Sequence, residues 1–126
     1  MPPVRVLLVE DNEVFRDALE LLLGMRDDVQ VVASVGDGAA AVAAALEHRP
    51  AVVLMDYRLP ALDGIQATAQ VVAALPEVAV VALTASADAA EREALIGAGA
   101  VACLNKDQEL EEIVGTILRA AATTRR

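Results

Sequence analysis

At 126 residues the chain suits one domain and is too short for two; folding can bury roughly two thirds of the surface that the unfolded form exposes. Its 19 acidic and 10 basic side chains leave a formal charge of −9, and it has no Trp, one Phe and one Tyr. Those features exclude a grip on a phosphate backbone or a stacking platform for single strands through this chain. A hydrophobic fraction of 56%, much of it Ala and Val, argues against disorder and suits helices packed on buried parallel strands.

In chain order, residues 4–9 form an apolar run of strand length that ends in Glu10 and Asp11. Asn12 can cap a helix that places Phe15, Ala18, Leu19 and Leu22 on one face and runs out near Gly24. A second strand is expected over 29–35, and Asp37 can cap an alanine-rich helix that ends before Pro50. The third strand, 51–55, delivers Asp56 into a loop marked by Pro60 and Gly64, and a helix follows from about residue 64 to 75. The fourth strand, 78–83, ends at Thr84, before a helix over 88–98 that Gly99 stops. The fifth, 100–104, runs into Asn105 and Lys106, before a helix from 107 towards 122. Residues 1–122 read as one domain and 123–126 as a tail or the start of a linker. No apolar run approaches the roughly 20 residues that span a bilayer, and residues 1–4 lead into a strand without a leader pattern. A cytoplasmic protein without membrane contact is expected, and the single Cys103 fits a reducing compartment.

Regular alternation of strands and helices with short connections requires right-handed crossovers, hence a doubly wound α/β domain with a parallel sheet covered on both faces. Ligands of such sheets bind beyond the carboxyl ends of the strands. Four of the five strands here end in reactive groups. Glu10, Asp11 and Asp56 would repel one another unless a cation sat among them, and hard oxygen donors with room for water suit Mg²⁺. Lys106 would supply a positive charge on the far side, and the Thr84 hydroxyl could donate to a phosphoryl oxygen. Asp56 is then the candidate nucleophile, because a carboxylate can form an aspartyl-phosphate when neighbouring cations neutralise the transferring group.

Taken together, Leu8-Val9-Glu10-Asp11, the stretch from Leu54 to Pro60 with Asp63-Gly64, Leu83-Thr84-Ala85, and Gly97 to Ala100 leading to Asn105-Lys106-Asp107 resemble the receiver domains of two-component response regulators. The resemblance implies a flavodoxin-like (βα)5 three-layer sandwich with strand order 2-1-3-4-5. It implies Asp56 as phosphoacceptor, Glu10, Asp11, Asp56 and the Arg58 backbone carbonyl as Mg²⁺ ligands, and Thr84 and Lys106 as the groups that read the phosphoryl group. It further implies a histidine kinase or phosphotransfer protein as donor, a possible homodimer, and a signalling switch rather than an enzyme. The last helix resembles those of regulators with a helix-turn-helix output domain, so control of transcription through a domain absent from these residues is expected.

Two positions depart from the family pattern. Cys103 stands where a Tyr or Phe usually reports the phosphorylated state with Thr84, and Asp107 stands where a cis proline often follows the lysine, so a trans bond is expected. Cys103 reads as a small hydrophobe and His48 as a helix-end residue. Arg58 and Ser86, flanking the site, are expected to tune hydrolysis. Two rival readings stand beside the receiver. One is a docking module that never takes a phosphoryl group. The other is a dinucleotide-binding domain, suggested by the G-x-G-x-x-A turn from Gly36 to Ala41 with Asp56 downstream.

Overall fold

The computed structural model describes residues 2–59, 62–85 and 88–124, with side chains to residue 122. The elements are β1 (Val4–Val9), α1 (Glu13–Gly24), β2 (Val29–Val35), α2 (Gly38–His48), β3 (Val52–Asp56), α3 (Gly64–Ala74), β4 (Ala79–Thr84), α4 (Ala89–Gly97), β5 (Ala102–Asn105) and α5 (Leu110–Thr124). All strand pairs are parallel in the order β2-β1-β3-β4-β5, the expected doubly wound sheet. Among the described residues no helix is long and apolar enough to cross a membrane.

Side-chain alternation along the strands divides the core in two. Val6, Leu8, Leu54, Val81 and Leu83 face a cluster shared with Leu19 and Leu23 of α1 and Ile113 and Ile117 of α5. Leu7, Val9, Val53, Met55 and Val80 face the other, built with Ala41 and Ala44 of α2, Val71 of α3 and Leu95 of α4. Every residue of β3 is buried, which explains its unbroken apolar run and fixes the carboxyl end that carries Asp56.

Capping side chains start four of the helices. Asn12, Asp37, Asp63 and Asp88 accept hydrogen bonds from the backbone N–H groups of Phe15, Ala40, Gln66 and Glu91, and Gln66 and Glu91 return the bond to complete capping boxes. Asp63→Ala is expected to cost about 1 kcal/mol, read as a lower midpoint of urea unfolding. At the other end of α4, Gly99 takes the left-handed conformation (φ +119°) that stops the helix, with Val72 packed where a side chain would project.

The helical register of α1 differs from expectation. Leu23 rather than Leu22 joins Leu19 in the core, Phe15 is partly buried, and Ala18 is exposed. The outer face of α1 is itself apolar, with Val14 and Leu21 exposed and Met25 exposed at the C-cap, so two apolar stripes compete and periodicity alone does not choose between them. α5 also begins later than expected, at Leu110. Residues 105–108 instead form a turn in which the Gln108 N–H donates to the Asn105 carbonyl (3.2 Å) and Gln108 Oε1 accepts from the Asn105 N–H (3.1 Å).

Candidate functional site

At the carboxyl edge of the sheet, backbone hydrogen bonds tie the end of β1 to β2, the end of β3 to β4 and the end of β5 to β4, and β1 pairs with β3 up to Val9 and Met55. The Glu10 N–H donates to Val35 O (3.0 Å), Tyr57 N–H to Leu83 O (3.1 Å) and Lys106 N–H to Thr84 O (2.8 Å). Beyond these ends lies a cleft of about 190 Å³, lined by Glu10, Asp11, Asp56, Arg58, Thr84 and Lys106, with Asn12 and Ala85 completing the wall. All six positions that the sequence nominated for phosphoryl and metal chemistry therefore meet in one place.

Lys106 differs from expectation in its position. Its ammonium lies among the carboxylates rather than across from them: Nζ is 2.8 Å from Glu10 Oε1, 2.9 Å from Glu10 Oε2 and 3.3 Å from Asp56 Oδ2. The cation expected to relieve the repulsion between the acids is thus, in part, the protein's own. Glu10 is fully buried and Asp56 is 5% exposed, so both need such a partner. Burial is the main influence on the Glu10 carboxyl and pushes it above the usual carboxylate range. Lys106 and the Asn12 N–H (2.9 Å to Oε2) pull it down, and Asp56 adds to the upward push.

Among the described residues no three carboxylate, imidazole or thiol groups already converge on a metal position. The donor set nonetheless fits a hard cation. Asp11 is exposed and lines the same cleft as Asp56, and Glu10, Asp11 and Asp56 outnumber the Lys106 ammonium that pairs with two of them.

Around this centre lie side-chain contacts that the sequence did not announce. The Phe15 ring centroid is 5.0 Å from Lys106 Nζ. Arg58 is exposed, sits over the Tyr57 ring (5.6 Å) and reaches Glu91 of α4 at 3.8 Å. Burial foremost, and then Glu91, pushes the Tyr57 phenol up. No signal in the sequence couples Glu91 to this loop. Arg92, also on α4, donates to the Cys103 carbonyl (3.4 Å) and to Asn105 Oδ1 (3.5 Å).

Cys103 is half-buried, packs against the cluster of α2, α3 and α4, and has its thiol pushed up by burial, as suits a small hydrophobe. His48 is the last residue of α2. There is no cis peptide bond among the described residues, so Lys106–Asp107 is trans. Ser86 and Pro60 lie outside the described residues. The glycine turn before α2 has a packing explanation: a Cβ on Gly38 would run into the Leu62 carbonyl, and Asp37 is the helix cap. Asp56 ends β3, which β1 separates from β2, the strand before that turn, and its carboxylate pairs with Lys106.

The model of the response regulator receiver domain matches residues 6–118. The chain is 36% identical over 119 residues to the transcriptional regulatory protein LiaR of Bacillus subtilis strain 168, covering 94% of this chain and 56% of that protein. It is 34% identical over 114 residues to the response regulator GacA of Pseudomonas protegens, covering 90% and 54%. The chain thus spans about half the length of these curated relatives. Among solved structures it is similar to the signal receiver domain of the NarL protein from Mycobacterium tuberculosis, with a TM-score of 0.92, 35% identity, and coverage of 97% of this chain and 98% of that one. A LuxR-family two-component response regulator from Aurantimonas sp. SI85-9A1 gives a TM-score of 0.91 at 28% identity, covering 98% and 88%. The sheet order, the acidic cleft at its carboxyl edge and these likenesses agree: the chain belongs to the receiver domains of two-component response regulators.

Proposed function

We propose that this receiver is a phosphorylation-dependent switch that accepts a phosphoryl group on Asp56 from a histidine kinase or phosphotransfer protein. The observation that carries the reading is the Lys106 ammonium shared by Glu10 and Asp56 within a cleft open to solvent. In the transfer, a carboxylate oxygen of Asp56 forms the new P–O bond while the P–N bond of the donor's phosphohistidine breaks and its electron pair leaves with the imidazole. Lys106, 3.3 Å from Asp56 Oδ2, can turn towards the incoming charge, and the Thr84 hydroxyl on the neighbouring strand end can donate to a phosphoryl oxygen. Receiver domains conventionally bind Mg²⁺ at their acidic pocket. Here Glu10, Asp11, Asp56 and the Arg58 carbonyl would hold it, and it would supply charge neutralisation on the phosphoryl oxygens.

The added charge is expected to draw Thr84 and Lys106 inwards and shift the face formed by α4, β5 and α5. With Cys103 in place of a ring, Arg92 is a side chain that hydrogen-bonds from α4 to β5 on this face. Arg58, poised between the cleft and Glu91, is positioned to tune phosphoryl lifetime. That LiaR is named a transcriptional regulatory protein supports a role in gene control through an output domain; a cytoplasmic location, and a homodimer as one means of reading the switch, belong to the same proposal.

Intact mass after incubation with a small acyl phosphate and Mg²⁺ tests the reading. One added phosphoryl group is expected, absent in Asp56→Asn and in the metal-free control, together with altered amide exchange between residues 85 and 104. No gain in the wild type, under conditions that modify another receiver, would favour a module that works by docking alone.

A further inference from the structure

We propose that Phe15 is a positioning residue for phosphoryl transfer, its ring holding the Lys106 ammonium at the gap between Glu10 and Asp56. The inference rests on the phosphoacceptor reading of Asp56 given above. Lys106 Nζ is 5.0 Å from the ring centroid, inside the ~6 Å reach of a cation–π contact, while it also meets both buried carboxylates. A lysine ammonium is a compact charge on a flexible stem, and attraction to several oxygens leaves it many near-equivalent placements. A ring face adds a directional contact that reduces their number.

Phe15 is itself held twice, once by its backbone and once by its ring. The Phe15 N–H donates to Asn12 Oδ1 at 3.0 Å, in the first turn of α1, and the side chain packs against the core cluster that contains Leu19 and Leu23. Asn12 in turn donates its own N–H to Glu10 Oε2 at 2.9 Å. The contacts therefore close a circuit: Glu10 to Asn12, Asn12 to Phe15, Phe15 to Lys106, and Lys106 back to Glu10. In that circuit the acidic strand end and the helix cap meet through hydrogen bonds, and the ring supplies the link from α1 to the lysine. An aliphatic side chain of similar volume would keep the packing and lose the negative ring face that the ammonium meets.

The test compares phosphoryl uptake from a small acyl phosphate with Mg²⁺ for the wild type, Phe15→Leu and Phe15→Tyr. Phe15→Leu is expected to slow uptake about five- to tenfold, with Phe15→Tyr within about twofold of the wild type, because a phenol keeps the ring face. In urea unfolding, Phe15→Leu and Lys106→Met together should lower the midpoint by less than the sum of their separate effects. Uptake by Phe15→Leu equal to the wild type would overturn the proposal. So would equal slowing in both variants, which would make the role one of volume, or strictly additive midpoints. If Phe15→Leu does not fold, Phe15→Met takes its place under the same expectations. A wild type that takes no phosphoryl group is a separate outcome, which would remove the phosphoacceptor reading and this inference with it.

Discussion

Exchanging Lys106 for Met is expected to destabilise the protein by about 3 kcal/mol at neutral pH, because it leaves two buried carboxylates without the cation between them. The side chains of Glu10 and Asp56 are 1% and 6% exposed and that of Lys106 only 19%, so water recovers little of the loss. The effect has a pH signature. Burial already raises the Glu10 carboxyl above its ordinary value of 4.5, and removing Lys106 takes away the strongest influence holding it down. A carboxyl raised on folding contributes stability that is fully present below the unfolded-state value and is lost as pH rises through the folded-state value. The variant should therefore resemble the wild type under acidic conditions, where Glu10 is protonated in both, and fall behind progressively above that range. Urea unfolding across a pH series measures this, and a deficit that did not change with pH would assign the effect to the packing of the lysine stem instead.

Gly64→Ala should be of similar size, about 3 kcal/mol, and should directly damage the strand end that carries Asp56. Gly64 folds the loop after β3 back on itself: its N–H donates to Tyr57 O at 2.9 Å. An added Cβ would collide with the Asp56 carbonyl and lie 2.8 Å from Tyr57 Cα, and these are backbone atoms with no rotamer by which to yield. The strand end must shift, and with it the Asp56 carboxylate. We expect a lower urea midpoint and slower phosphoryl uptake in the fraction that remains folded. Gly97→Ala is the control, since a Cβ there meets nothing within 4 Å; its midpoint should hold or rise slightly. A Gly64→Ala protein with wild-type uptake would show that the loop adapts.

What the sequence made legible was the part of the structure that depends on local chemistry. Asn12 and Asp37 were readable as caps because a short oxygen-bearing side chain before an apolar helical run has few other uses, and both do accept the expected N–H. The strand ends were readable because buried parallel strands are continuous apolar runs, so the first polar residue after each marks the sheet edge. From there the convergence of Glu10, Asp11, Asp56, Thr84 and Lys106 followed from topology. The placement of Lys106 among the acids did not, because a four-carbon stem can reach either side of the cleft and only the packed structure selects one. Phe15 was visible only as an apolar residue at helical spacing, since a ring that packs and a ring that also meets an ammonium leave the same mark in a sequence. The choice between Leu22 and Leu23 was likewise closed to periodicity, because α1 is apolar on both faces.

The scarcity of aromatic residues has a spectroscopic consequence. With no Trp and one Tyr in the chain, ultraviolet fluorescence excited in the tyrosine band arises from Tyr57 alone. That phenol is half-buried, follows Asp56 directly, and has the Arg58 guanidinium over its ring and the Glu91 carboxylate as a neighbour. A nearby carboxylate and a nearby cation both alter phenol emission, so a movement of Arg58 or Glu91 is expected to change the intensity of a single native fluorophore, without label or engineered probe.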